Sequence, residues 1–366
     1  MPRCTRSVRL LGLLILAGFA GLGVAPTPAR GSASAFPSAG LGVTTAARPL
    51  PQLVSVRFGS PQGVSDAGVF IARERGYFGE QGLAVDVLPF QSGPDTIPPL
   101  ASGDLELAGG AISVALLNAV ERGVALKMVA DKGTSRPGFE YNQVVVRPDL
   151  LGGAVRDLGD LRGRRIAVAS LRSGAESLVA HVLAQGGVGI DEVDLTPLSF
   201  ADMIVALGNG VIDGANMIEP AQSAATDRGV AATWEPGRSS TAFGGVYQAA
   251  EIVASGRFAA ETDLARRFLL AYLRGVRAYN DAFVKGEGRA EIVRILTEST
   301  VVKDPATYER MQMAGLDPDG RIARQSLQLD MDYFRQMGYY TGPITLDDLI
   351  DTSYADYAAQ QLGPYR

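Results

Sequence analysis

The sequence predicts an α/β protein of two similar lobes, each a mainly parallel sheet covered by helices. Three observations carry this. From Leu53 onward short β-like runs alternate with helical ones, the pattern of parallel strands joined by helical crossovers. The alternation comes as two successive series. The chain also repeats itself: Leu100 to Ala108 and Leu207 to Ala215 share the pattern Leu-x-x-Gly-x-(Leu/Ile)-acid-x-Ala. In each copy the glycine can take the left-handed conformation that stops a helix, and the apolar residues after it can enter a sheet.

In the first series Leu53 to Phe58 alternates like a strand, Ala67 to Tyr77 reads as a helix, and Leu83 to Leu88 as a strand. Helix Asp95 to Ala101, strand Leu105 to Ala108, helix Ser113 to Arg122 and strand Ala125 to Ala130 follow. After Asn142 to Arg147 the second series runs as strand Arg165 to Ala169, helix Gly174 to Gln185, strand Val193 to Leu198, helix Ala201 to Leu207, strand Gly214 to Met217 and helix Pro220 to Arg228. The remainder is helical. Leu264, Phe268, Leu269, Tyr272, Leu273, Val276 and Tyr279 form one apolar stripe, which marks a packing helix. Helical segments are expected at Ala290 to Thr297, Ala306 to Met313, Ile322 to Met337 and Leu346 to Leu362.

The N-terminus sets the compartment. Arg3, Arg6 and Arg9 precede an uncharged apolar run from Leu10 to Val24, and Ala33-Ser34-Ala35 fits a cleavage site, so residues 1–35 read as a secretory leader. The run is too short for a membrane span. The single cysteine, Cys4, precedes the apolar run, which argues against a lipid anchor at its far end and leaves the mature chain without a disulfide or cysteine nucleophile. Residues 36–52, rich in Pro, Gly, Ala and Thr, read as a flexible leader. Cleavage removes four arginines and no acid, leaving 30 basic residues against 39 acidic ones. Such an acidic balance disfavours nucleic acid as a partner. About 330 residues remain, more than one hydrophobic core usually serves.

The run Ala72-Arg73-Glu74-Arg75-Gly76-Tyr77-Phe78-Gly79-Glu80-Gln81-Gly82-Leu83 resembles the helix-to-strand signature of the sulfonate/nitrate/taurine and thiamine-pyrimidine-precursor family of solute-binding proteins. The resemblance continues through Ser102-Gly103-Asp104, Leu158 to Val168, Gly210 to Ala215 and Glu219-Pro220, covering about Val54 to Tyr357. It implies a type II periplasmic-binding fold: two doubly wound, mainly parallel sheets joined by a two-strand hinge around a ligand cleft. The hinge candidates are Asn142 to Arg147 and Gly244 to Val253. The lobes would then be 53–143 with 248–366, and 144–247. The implied role is the periplasmic, monomeric binding component of an ABC importer, with a permease and its ATPase as partners, a small-molecule ligand and no cofactor.

Ligands of open α/β sheets bind at the carboxyl ends of strands, which singles out four loops. In Ser60 to Asp66, Gln62, Ser65 and Asp66 offer hydrogen bonds, although Ser65 or Asp66 also suits a plain helix cap. Gly110 and Ala111 follow the Leu105–Ala108 strand with room for close backbone approach, and Ser113 can cap or contact. Ser170 to Gly174 opens a helix, where Arg172, Ser173 and Gly174 suit an anion, although Ser-x-x-Ser-Gly is also ordinary capping and an arginine here can equally point to solvent. Asn216 and Glu219 belong to the segment expected to cross the cleft; Glu219 suits an anion at the start of the following helix, and facing the cleft it would instead favour an amine or pyrimidine. Tyr247, with Phe90 and Phe243, is a candidate to stack on a flat ligand, with core packing the favoured alternative for each. An organic anion is the favoured ligand class.

Catalytic arrangements are sparse. His181 is the single histidine, set mid-helix with no Gly-x-Ser-x-Gly elbow, and no His/Cys metal cluster is present. The enzyme branch of the same family depends on a cysteine-rich motif and histidines that this chain lacks. A dehydratase-like enzyme and a ligand-sensing module for a membrane receptor are the competing readings.

Overall fold

The structure, a computed structural model, describes residues 52–366. The expected leader and cleavage site fall outside the described residues. Nine strands are present among these residues: β1 (Val54–Ser60), β2 (Leu83–Pro89), β3 (Leu107–Gly110), β4 (Leu126–Ser135), β5 (Asn142–Val146), β6 (Arg165–Val168), β7 (Asp194–Pro197), β8 (Gly214–Ile218) and β9 (Tyr247–Ser255). They form a five-stranded sheet in the order β2-β1-β3-β9-β4 and a four-stranded sheet in the order β5-β8-β6-β7. Each sheet is parallel apart from one strand: β9 runs against β3 and β4, and β5 runs against β8.

The internal repeat has a structural counterpart in each sheet. Arg57 of β1 donates to both carboxylate oxygens of Glu106, at 3.1 and 2.8 Å, and to the Gly103 carbonyl at 2.7 Å. Arg165 of β6 does the same with Asp213, at 3.1 and 2.9 Å, and with the Gly210 carbonyl at 2.8 Å. Gly103 and Gly210 both have left-handed backbone, φ 83° and 66°. The shared sequence therefore encodes one device twice: a helix stop whose carbonyl and following acid bind the arginine of a neighbouring strand.

The C-terminal helices cover the first sheet. All seven residues of the expected stripe in the Thr262–Asn280 helix are buried. It meets the Ala67–Glu74 helix at backbone distance, because a Cβ on Gly275 would lie 2.1 Å from the Gly68 carbonyl oxygen.

Several boundaries differ from expectation for identifiable reasons. β4 continues five residues past Ala130, because Asp131 and Lys132 are buried with partners and stay in the sheet. The Ala306–Met313 segment is helical over Pro305–Arg310 only, since Ala314 and Gly315 turn to bridge Glu140 and Thr134. The last expected helix splits into Leu346–Leu349 and Ser353–Leu362. Asn142 to Val146 pairs along its whole length with β8, so the chain crosses between sheets before it, in residues 136–141. It returns just before Tyr247, where β9 begins to pair with β4.

Candidate ligand-binding cleft

The carboxyl ends of β1, β3, β6 and β8 converge on a cavity of about 70 Å3. Of the residues singled out from the sequence, Ser65, Gly110, Ala111, Ser173, Asn216 and Tyr247 line it. Ser170 of the expected Ser170–Gly174 loop lines it as well, as do Ser92, Lys132, Tyr141, Asn142 and Phe200, which the sequence does not single out as ligand contacts.

Lys132 is the charged side chain of this wall; among the described residues no other charged group lines the cavity. It projects from β4 with 1% exposure. Its ammonium donates to Asp66 Oδ1 at 2.8 Å and to Ser65 Oγ at 2.9 Å. Asp66, itself 0% exposed, also accepts from Ser60 Oγ at 2.9 Å. An ammonium has three N–H donors, so one beyond these two partners is available to the cavity. Gly109 makes the arrangement possible, since a Cβ there would come within 2.4 Å of Lys132 Cε.

Asp66, Arg172 and Glu219 do not face the cavity as ligand contacts would; Arg172 points outward and Glu219 sits at its own helix start, the alternatives their sequence context also offered. Asp66 lies behind the wall, holding Lys132. Arg172 is exposed, with its guanidinium 5.2 Å from the centre of the Tyr339 ring. Its backbone is left-handed, φ 54°, which turns the side chain away from the cavity. Glu219 is fully buried and folds back on its own helix. It accepts from the Ser223 N–H and hydroxyl, both at 2.9 Å, from Gln222 Nε2 at 3.1 Å and from the Gln312 N–H at 3.1 Å. Burial nevertheless pushes its carboxyl up to about 7.

Gln62, Ser113 and Gly174 also lie outside the cavity lining. The Gln62 N–H donates to Ser60 Oγ at 2.9 Å in a left-handed turn, φ 58°. Ser113 caps the Val114–Glu121 helix by accepting from the Leu116 N–H at 3.3 Å. Gly174 supplies a carbonyl to Tyr247 Oη at 2.8 Å. Phe243 packs 4.5 Å from both His181 and Tyr247, ring centre to ring centre, so it supports the Tyr247 ring. His181 Nδ1 lies 2.8 Å from the Ser177 carbonyl oxygen of its own helix.

The two halves of the cavity touch along two seams. On one side the Val114 N–H donates to the Arg172 carbonyl at 3.0 Å and the Gly174 N–H to the Ile112 carbonyl at 2.9 Å, an antiparallel bridge centred on Ser113 and Ser173. On the other the Val64 N–H donates to the Glu219 carbonyl at 3.1 Å. Such backbone contacts enclose the space between the loops of the two sheets. Because the Arg172 side chain takes no part, Arg172→Ala is expected to leave ligand affinity within about twofold, measured by calorimetric titration. A tenfold loss would return Arg172 to the site.

A taurine-binding periplasmic protein from Escherichia coli K12 is 28% identical to this chain over 146 residues, an alignment spanning 40% of this chain and 42% of that protein. The alkanesulfonate-binding protein SsuA of Xanthomonas axonopodis pv. citri, solved bound to MOPS, superposes with a TM-score of 0.65 at 20% identity, covering 82% of this chain and 98% of that one. The periplasmic nitrate-binding protein NrtA of Synechocystis PCC 6803 gives 0.67 at 14% identity, covering 85% and 90%. These structures share the fold, two α/β lobes of the type II solute-binding class. The NMT1/THI5-like family model matches residues 65–281, more than half of the sequence, and the chain belongs to that family.

Proposed function

We propose that this protein is the periplasmic solute-binding component of an ABC importer, a monomer that captures a small organic anion by closing its two lobes, 53–143 with 248–366 and 144–247, over the cleft. The observation that carries the reading is the Lys132 ammonium set in the wall of a small cavity between the strand ends of the two sheets. The rest of the wall is largely apolar, including Pro61, Pro94, Phe200 and Ile218, and the Ser92, Ser170, Ser173 and Asn216 donors are engaged by protein acceptors, which leaves the Lys132 ammonium as the donor that suits a sulfonate or carboxylate oxygen. The ligands for which the relatives are named, taurine, an alkanesulfonate and nitrate, are consistent with it. An amine or pyrimidine ligand loses its support, because Asp66 and Glu219 both have their carboxylates engaged outside the cavity.

The same fold also serves a desulfurization enzyme, DSZB, one structure of which is a cysteine-to-serine variant bound to biphenyl-2-sulfinic acid. This chain's single cysteine is Cys4, in the expected leader, so we read the cleft as a binding site without catalysis. Unchanged ligand after prolonged incubation is the expected result.

A thermal-shift series with taurine, ethanesulfonate, benzoate and nitrate tests the function. An anion at about 100 times its dissociation constant should stabilise the protein by about 2.7 kcal/mol, and Lys132→Met should remove the shift. A response to neutral pyrimidines or amines alone would overturn the anion reading.

A further inference from the structure

Glu176 has no part in the cavity lining, yet it joins the cavity's loop to the opposite sheet. It is 2% exposed, in the first turn of the Gly174–Gln185 helix that follows β6. One carboxylate oxygen, Oε2, accepts from the Arg172 backbone N–H at 2.7 Å. The other, Oε1, accepts from Tyr333 Oη at 2.7 Å. Tyr333 stands on the Arg324–Gln336 helix, whose Leu327 and Met331 share a core with Met128 of β4 and Val253 of β9. The carboxylate therefore ties a loop of the second sheet to the core of the first.

The loop it holds needs holding. Arg172 is a non-glycine residue with left-handed backbone, a conformation disfavoured for side-chain-bearing residues. Both of its backbone polar groups are engaged there: the N–H by Glu176 and the carbonyl by the Val114 N–H across the cleft. In that conformation Ser170 and Ser173 face the cavity and Ser173 bridges Ser113. Separating the lobes would break the Tyr333 link and both bridging hydrogen bonds together, and give the carboxylate back to water.

We propose that Glu176 and Tyr333 are a positioning pair that latches the ligand-facing loop in the closed geometry, so that part of the closing free energy is built into the protein rather than supplied by the ligand. Contacts made in one conformation alone shift the population toward it. This rests on the reading of the cleft as a closing binding site.

Cysteines at the bridging positions, Ser113→Cys with Ser173→Cys in the full chain carrying Cys4→Ser, report closure without ligand, because antiparallel bridge partners lie at a separation a disulfide spans. Under a fixed oxidant, Tyr333→Phe and Glu176→Gln are each expected to slow cross-linking about tenfold, the scale for losing a hydrogen bond to a charged group. The melting midpoint of the reduced, unliganded protein should stay unchanged. Equal cross-linking rates in parent and variants would overturn the latch. A slower rate with a matching loss of stability would assign the pair to folding and overturn it as well; Glu176→Gln carries the test should Tyr333→Phe fold poorly. Ethanesulfonate and taurine shifts on the protein with Ser113 and Ser173 intact separate the two ideas. No ligand response with Tyr333-dependent cross-linking defeats the binding reading alone, and a ligand response with Tyr333-independent cross-linking defeats the latch alone.

Discussion

Asp66→Ala is expected to lower the unfolding free energy by about 3–5 kcal/mol, the scale for stranding one member of a buried ion pair. Lys132 and Asp66 are 1% and 0% exposed, so with the carboxylate gone Ser65 Oγ would be the one protein acceptor left to the ammonium, whose remaining solvation would come through the small cavity alone. The Ser60 hydroxyl would lose its acceptor at the same time. The double variant Asp66→Ala/Lys132→Met should recover most of the loss, because it leaves no buried charge to solvate. Urea denaturation of the two single variants and the double one measures the coupling. A cost below about 1 kcal/mol for Asp66→Ala would mean that water reaches Lys132 freely, and the cavity wall would have to be redrawn.

That pair also shows where sequence reading succeeds and where it stops. The loop containing Asp66 is legible, because a β-like run followed by small residues and a helix places it at a strand's carboxyl end. The direction of the Asp66 side chain is not, because it is set by Lys132, 66 residues on in another strand. Lys132 itself escaped notice since Asp131-Lys132-Gly133 after Ala130 reads as a turn that ends the strand. Its one local signal is an acid-lysine pair placed directly after an apolar strand run, with Gly109-Gly110 elsewhere in the chain to accommodate the long side chain. Arg172 and Glu219 fail in the same way. Their segments border the cavity, but Arg172 is turned outward by a left-handed backbone held by Glu176, and Glu219 is turned inward by four donors, one of them from Gln312. The fold was more legible than the site because periodicity and the Gly-acid repeat are local in the chain, whereas the orientation of a buried polar side chain depends on distant partners.

The melting midpoint is expected to fall as pH rises from about 5 to 8, by several degrees. Burial raises Asp131 and Glu219 to about 7 each, and pushes Asp330 and Glu251 well above the usual carboxylate range. A carboxyl whose pKa is higher folded than unfolded binds its proton more tightly in the native state. Its stabilising effect is complete below the unfolded value, near 4, and is lost as pH rises through the folded value. For Asp131 and Glu219 the loss reaches on the order of 3 kcal/mol each, and a change of that size moves the midpoint of a chain this long by roughly 2 °C per kcal/mol. The carboxyls held low by arginine, among them Glu106 beside Arg57 and Asp213 beside Arg165, where hydrogen bonding and charge outweigh burial, act with the opposite sign and only below about pH 4. Stability should therefore peak near pH 4–5, and Asp131→Asn should flatten the slope between pH 5 and 8. Asp131 receives N–H donors from Gly133, Gln248 and Asp317 at 2.9, 2.7 and 2.8 Å, so that variant will also be less stable at every pH, and the slope rather than the midpoint is the informative quantity. A midpoint that climbs from pH 5 to 8 would show that these donors keep both carboxyls ionised in spite of burial.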